Sequence, residues 1–378
     1  MKREIVLRGS CQNDADMLYF TGVPIPDPFY AFTIRGRKCA LIGALELGRL
    51  SKGGRLDEIF DLTSLSRKYS LSRKNIRNGR ADETAVLAEI LKASRVRGLL
   101  VPQNFPAFHL EKLRAAGFDV AVADSPIFPE RDVKSARELA EIEKANAVAT
   151  KGFARIAQIL RESEVSDGKL LWRNRTVSSE LLRFEVESAA LAEGADAMYT
   201  IVAGGNQACD PHEAGHGAIL PNSLIVADIF PRLRSSGYFG DMTRTFLKGT
   251  PSTAQAKLVE TVAAAQRLAL SKIRDGAEGS EIHGDVDGFF AENGYYTEFR
   301  KGAWGGFFHS TGHGVGLDIH EKISISPRKC KLRSGNVVTV EPGLYYRGIG
   351  GCRIEDTVVV RKNRARKLSD YPYDWVIK

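Results

Sequence analysis

Residues 304–320, WGGFFHSTGHGVGLDIH, limit the possible folds more than any other stretch of the chain. Gly305, Gly306, Gly312, Gly314 and Gly316 fall within it. Each would cost a helix about 0.5–1 kcal/mol relative to alanine. The stretch must therefore run as loop and strand edge, where glycine lets backbone approach a site closely. Three of the chain's seven histidines, His309, His313 and His320, lie here. Two readings are open at this point. The imidazoles are presented into a pocket, or they are ordinary hydrogen-bonded side chains in a glycine-rich loop.

Four further segments each carry a carboxylate out of apolar, strand-like surroundings. SLIVADIF ends an apolar run on Asp228, and GYFGDMTRTF holds Asp241 in a hairpin strand. NVVTVEPGLYY places Glu341 just after an apolar strand, and GCRIEDTVVV sets Glu355 among β-branched residues. Burying an uncompensated charge is expensive. Either each carboxylate has a basic partner, or together they bind cations. Four carboxylates and one histidine suffice for two divalent ions, and oxygen ligands with an imidazole suit Mn, Co, Fe or Zn.

The rest of the chain sets the frame. With 378 residues, 43% hydrophobic and 26% charged, it is a globular chain of one large domain or two ordinary ones. No run is long and apolar enough to cross a bilayer, and MKREIVLRGS lacks the apolar stretch of a signal peptide. Five scattered cysteines without CxxC spacing predict free thiols and a cytoplasmic location. The net charge of +8 is spread thinly: 20 Lys and Arg against 15 Asp and Glu in residues 1–130, and 34 against 31 beyond. RKNRARK (361–367) lacks interleaved aromatics, so neither nucleic acid nor membrane is an expected partner.

Residues 1–125 read as a small α/β unit. Strands are expected at Phe29–Ile34 and Lys38–Ile42 around an RGRK turn, and at Gly98–Val101. Helices are expected at Asp82–Ser94 and Phe108–Ala116, and FDVAVADSP adds a closing strand. His109 is expected to be structural. The two prolines and charges of SPIFPERDVK (125–134) suggest a linker. Helices follow at Ser135–Glu162, at Val177–Glu193 with Thr176 as its cap, and near 253–274 and 280–293.

His212-Glu213-Ala214-Gly215-His216 spells HExxH, the zinc-protease string. That chemistry needs both imidazoles on one helix face with the glutamate as base. Gly215, Gly217 and Pro221 argue against a helix, so the string is set aside as a loop.

The series Asp228, Asp241, His313, Glu341, Glu355 resembles the five ligands of the pita-bread metallopeptidases, and among them Xaa-Pro aminopeptidase (aminopeptidase P) and Xaa-Pro dipeptidase (prolidase). GDMTRTF, HSTGHGVGLDIHE, VEPGLYY and RIEDTVVV carry the likeness, in the family's order. DADMLYFTG is more weakly similar to the family's creatinase-type N-terminal domain. The resemblance implies an α/β (α+β) protein with a creatinase-type domain at 1–127 and a pita-bread catalytic domain at 128–378. It implies two divalent metal ions, manganese first and cobalt, zinc or iron as alternatives. Asp241 and Glu355 would bridge them, and Asp228 and His313 would each bind one. Glu341 would bind one ion and shuttle a proton.

By the same resemblance His212, His309 and His320 match pocket histidines, and Arg353 an arginine beside Glu355. For His309 and His320, support of His313 is the competing role; His216 and His283 match nothing. Phe307, Phe308 and Tyr345 would form an apolar wall. The expected partner is a peptide with proline second, cleaved at the Xaa-Pro bond. Aminopeptidase P is the first reading and prolidase the alternative; a non-catalytic binding protein of the same fold is a further one. A homodimer is implied by resemblance only. One departure stands out. Asp241 lies thirteen positions after Asp228 where the family has eleven, the excess falling in PRLRSSG (231–237), and Phe230 replaces a small residue.

Overall fold

In a computed structural model of the chain, the structure describes residues 3–69, 76–77, 80–300 and 302–378. Two compact units divide it, Met1–Pro129 and Glu130–Lys378.

In the first unit, a mixed sheet runs in the order Glu58–Asp61, Arg37–Ile42, Phe29–Ile34, Glu4–Gly9, Gly98–Val101, Asp119–Val122. Its central hairpin closes at Arg35 and Gly36, both with positive φ, between the paired residues Ile34 and Arg37. Such two-residue turns match the twist of the flanking strands. The helix Glu83–Ala93 starts where Asp82 accepts hydrogen bonds from the Thr84 and Ala85 N–H groups. Ala107–Ala115 is the other expected helix. Three further helices among the described residues, Ala15–Thr21, Ala44–Gly53 and Leu62–Tyr69, have no counterpart in the sequence reading. His109 is structural: its Nδ1 lies 2.8 Å from both Tyr30 Oη and Thr84 Oγ1.

In the second unit, Ser135 and Glu138 form a capping box that opens the long helix Ala136–Glu162. The next helix begins later than expected. It spans Ser179–Ala192 and is capped by Ser178, not Thr176, because residues Arg175–Thr176 are paired as a strand. Both helices contribute to one core, with Phe153 and Ile156 from the first and Leu182 and Val186 from the second. One sheet runs Ile201–Gly204, Ile225–Ile229, Met242–Lys248, Val376–Ile377. A second runs Glu321–Ile325, Gly312–Gly314, Val337–Val340, Asp356–Val360, Ala365–Lys367. Helices Thr253–Lys272 and Gly279–Glu292 share a core with Val338, Val340, Val358 and Val360 of that second sheet.

The two sheets are joined by an antiparallel bridge between Thr243 and Glu355. Strand alternation then decides which side chains meet. Asp228 pairs with Thr243 across the first hairpin, and Asp241 lies two residues before Thr243. Asp228, Thr243 and Asp241 therefore share one face of that ladder. The extra length of 231–237 leaves this register untouched: Arg232–Leu233 pairs with Ala195–Asp196, outside the ladder.

Candidate active site

Asp228, Asp241, His313, Glu341, Glu355 and Arg353 all line one cavity of about 530 Å³, together with His212, Phe230, Phe308, His309 and His320. Asp241, His313 and Glu355 each offer a ligand atom, and these atoms lie within 4.8 Å of one another. His313 Nε2 is 3.5 Å from Asp241 Oδ2 and 3.4 Å from Glu341 Oε1.

Local structure fixes each of these groups. The Asp241 N–H donates to Asn146 Oδ1 at 2.9 Å, while Thr357 Oγ1 donates to its carbonyl. Thr243 Oγ1 donates to Glu355 Oε2 at 2.6 Å, and Thr339 Oγ1 to Glu341 Oε1 at 3.1 Å. A Cβ on Gly312 would stand 1.9 Å from Thr339 O, so only glycine lets the His313 strand lie this close to its neighbour. The His313 Nδ1–H donates to Gly314 O at 3.1 Å, which leaves Nε2 as the lone-pair nitrogen facing the carboxylates.

Four carboxylates converge here, and among the described residues Arg353 is the one arginine or lysine that pairs with any of them, through Asp228. Burial, then repulsion from Glu355, Asp228 and Glu341, pushes the Asp241 carboxyl well above its usual range. Glu355 is raised likewise, by burial and then by Glu341 and Asp228. Glu341 is raised to about 7, chiefly by burial. Two carboxylates about 4 Å apart repel by on the order of 4 kcal/mol near a protein surface. Asp228 Oδ1 is buried and has no hydrogen-bond partner among the described residues. A divalent cation answers both the unmatched negative charge and the orphan oxygen, so the donor set fits metal ions.

His309 has a different position from His313. Its Nδ1–H donates to Ser310 O at 2.8 Å, and its Nε2 accepts from Tyr345 Oη at 2.8 Å. Tyr345 Oη in turn accepts from Arg353 Nη1 at 3.0 Å. Both ring nitrogens are thus engaged with groups other than His313. Burial, reinforced by the Arg353 charge, depresses His309 to about 3, so it stays neutral. His320 stacks edge-on to His313, ring centroids 4.4 Å apart. Glu321, the next residue, is gripped by Lys134 Nζ at 2.5 Å and Arg131 Nη2 at 2.9 Å.

Arg353 lines the cavity beside Glu355, and its guanidinium pairs with Asp228 at 2.7 Å. Two expectations are corrected by geometry. Phe307 turns into the core against Phe290 and His283, and does not line the cavity, whereas Phe308 does. Tyr345 is wholly buried and supplies a hydroxyl, not an apolar wall. The HExxH string is irregular backbone as expected; His212 lines the cavity, and the exposed His216 does not. Thr243, Thr339 and Asn146 hold the site together without any sequence signal of their own. A threonine or asparagine becomes recognisable only once register places it opposite a carboxylate.

Fold and site define a peptide-bond hydrolase of the metal-dependent kind, with a carboxylate-lined centre at the junction of two sheets. Residues 140–362 match the model of metallopeptidase family M24. The chain belongs to that family and is an enzyme of the pita-bread fold. It is 32% identical over 280 residues to an Xaa-Pro dipeptidase of Pyrococcus horikoshii, covering 72% of this chain and 73% of that one. An Xaa-Pro dipeptidase of Pyrococcus furiosus is 33% identical over 285 residues, 74% of this chain and 75% of the other. The crystal structure of the prolidase from Pyrococcus horikoshii superposes with a TM-score of 0.78 at 25% identity, over 98% of this chain and 95% of that one.

Proposed function

We propose that the chain is an Xaa-Pro dipeptidase, a prolidase, that uses two divalent ions held by Asp228, Asp241, His313, Glu341 and Glu355. The observation that carries this is the convergence of Asp241, His313 and Glu355 in a chain about one-third identical to two Xaa-Pro dipeptidases. These relatives favour the dipeptidase over aminopeptidase P, reversing the order in which the sequence alone put them. Manganese is the first choice of metal for a set of carboxylate oxygens and one imidazole; cobalt, zinc or iron also suit it.

Ions bound there would supply Lewis-acid polarisation of the scissile carbonyl and acidification of water. The side chains do the rest. Glu341, at the cavity wall, takes a proton from the attacking water and delivers it to the proline nitrogen. That nitrogen leaves as a secondary amine and needs the proton. His212 and His320 line the cavity as donors to the developing oxyanion. Arg353 holds Asp228 and, through Tyr345, keeps His309 neutral and oriented.

The reading includes residues 1–127 as a creatinase-type domain, a homodimer on resemblance alone, and a cytoplasmic location. The last is supported by five free cysteines. No helix among the described residues is long and apolar enough to cross a membrane. Equilibrium dialysis against Mn(II) tests the metal centre: two ions per chain are expected, and fewer for Asp241→Ala. Failure of the wild-type chain to bind Mn(II), Co(II) or Zn(II) would overturn it.

A further inference from the structure

RKNRARK (361–367), taken alone, gives no reason to expect a polyanionic partner. In the fold it has company. The Asp275 N–H donates to Arg361 O at 3.0 Å, the Gly276 N–H to Leu332 O at 2.9 Å, and the Leu332 N–H to Ala277 O at 2.8 Å. The Ser334 N–H donates to Asp275 Oδ1 at 2.7 Å. Segments 273–278, 327–334 and 361–364 therefore meet at one edge of the second unit, where the strand Val337–Val340 begins and Asp356–Val360 ends. Glu341 and Glu355 flank the opposite end of the same two strands, on the order of 13 Å away. No residue of the three segments lines the cavity.

The three segments hold eight Lys and Arg against two acidic residues, Asp275 and Glu278, so this edge carries six of the chain's net charge of +8. Seven of the eight cations are exposed, and Arg361 is half-buried. Among the described residues none of the eight side chains makes an ion pair or a hydrogen bond. Both carboxylates are engaged with backbone instead: Asp275 accepts from the Ser334 N–H and Glu278 from the Cys330 N–H. The last two cations of RKNRARK differ from the rest, since Arg366 pairs with Glu143 and Lys367 with Asp356. What remains is a surface of uncompensated positive charge assembled from three separate stretches of sequence.

We propose that this edge binds the phosphate backbone of double-stranded nucleic acid, without regard to sequence. Such binding is independent of the Xaa-Pro dipeptidase activity, because the edge lies away from the cavity. Five of the eight cations are arginines, whose planar forks match phosphate oxygens. The three segments contain no aromatic residue, and their large apolar side chains, Ile273 and Leu332, are buried. A protein partner would want an aromatic or apolar centre to the contact, and a lipid surface an apolar anchor. Single strands are held largely by stacking on aromatic rings, which this edge lacks. Interfaces with duplexes are polar and strongly positive, and their affinity comes from phosphate neutralisation.

The test is fluorescence anisotropy of labelled DNA and RNA duplexes of about 20 base pairs, long enough for several phosphate contacts, titrated with the full chain. Neutralising about four phosphates should make the affinity for at least one duplex fall about 10²-fold between 50 and 200 mM NaCl. The triple variant Arg274→Glu, Arg333→Glu, Arg364→Glu should bind about tenfold more weakly or worse at 50 mM NaCl, with a shallower salt slope. A control with the same change in net charge, Arg137→Glu, Lys169→Glu, Arg175→Glu, alters exposed cations elsewhere in the second unit and should stay within about twofold of wild type. Should the first triple variant fail to fold, the corresponding Arg→Gln triple takes its place, with the same shallower slope expected. No saturable binding of either duplex at 50 mM NaCl would overturn the proposal. Equal losses in both triple variants would overturn it too, by showing that bulk charge and not this edge is read. Tighter binding to phosphatidylserine vesicles or to polyglutamate than to both duplexes would overturn it in favour of a membrane or an acidic protein.

Discussion

Arg353 Nη2 stands 2.7 Å from Asp228 Oδ2, and this pair carries the only guanidinium-to-carboxylate contact within the cavity among the described residues. Both side chains are nearly excluded from solvent. Removing one partner of a buried pair typically costs about 3–5 kcal/mol, because the other charge is left uncompensated. Divalent cations would take over part of that compensation. Arg353→Met should therefore destabilise metal-free protein by about 3–5 kcal/mol and metal-loaded protein by clearly less, measured by denaturant melts. Equal losses in both forms would mean that Asp228 does not share its charge with a metal.

Thr243 should matter for metal, not for fold. Its hydroxyl donates to Glu355 at 2.6 Å and accepts from Arg353 Nε at 3.3 Å. Groups that orient a ligand typically contribute about 10–100-fold in metal affinity or activity. Thr243→Val should lower Mn(II) affinity by a factor in that range with near-normal thermal stability. Unchanged affinity would remove Thr243 from the site's support.

How much of this could be read from the chain follows from these two residues. Asp228, Asp241, His313, Glu341 and Glu355 stand out because a carboxylate or imidazole in an apolar strand is chemically anomalous. Thr243 is not anomalous; β-branched threonine is ordinary in a strand. It acquires meaning from a bridge between two sheets, more than a hundred positions apart in sequence. Helix ends were legible where a cap residue competes with nothing, as at Ser135 and Asp82. The start at Ser178 was not, because the hydroxyl of Thr176 offers the same cap chemistry and only strand pairing of Arg175–Thr176 excludes it. The pairing of Arg353 with Asp228 was equally hidden, since it joins residues 125 positions apart.

Stability should depend on pH through His309. Its folded pKa, about 3, lies below the ordinary value near 6.5, so the unfolded chain binds the proton more readily. The contribution of neutral His309 is full above pH 6.5 and is lost as pH falls towards 3. His309→Gln should flatten the loss of stability between pH 6.5 and 4 by about 1–3 kcal/mol, read by melts of the two proteins across that range. A parallel pH profile would show that His309 is not held neutral by its burial and Arg353.

The two histidines of the HExxH string should behave oppositely. His212 lines the cavity; His216 is exposed, its imidazole 3.6 Å from Glu213. His212→Ala should lower kcat by about 10²-fold or more, as loss of an oxyanion donor does, whereas His216→Ala should leave it within a factor of two or so. Equal losses would revive a zinc site in this loop.

The most direct measurement is hydrolysis of Gly-Pro and Gly-Pro-Leu by metal-stripped protein, before and after addition of Mn(II). The dipeptidase account predicts no cleavage without metal, metal-restored cleavage of Gly-Pro, and little or none of Gly-Pro-Leu. Metal-restored cleavage of the tripeptide alone would contradict it in favour of an aminopeptidase P. No cleavage of either substrate by protein shown to hold its metal would contradict Xaa-Pro specificity itself.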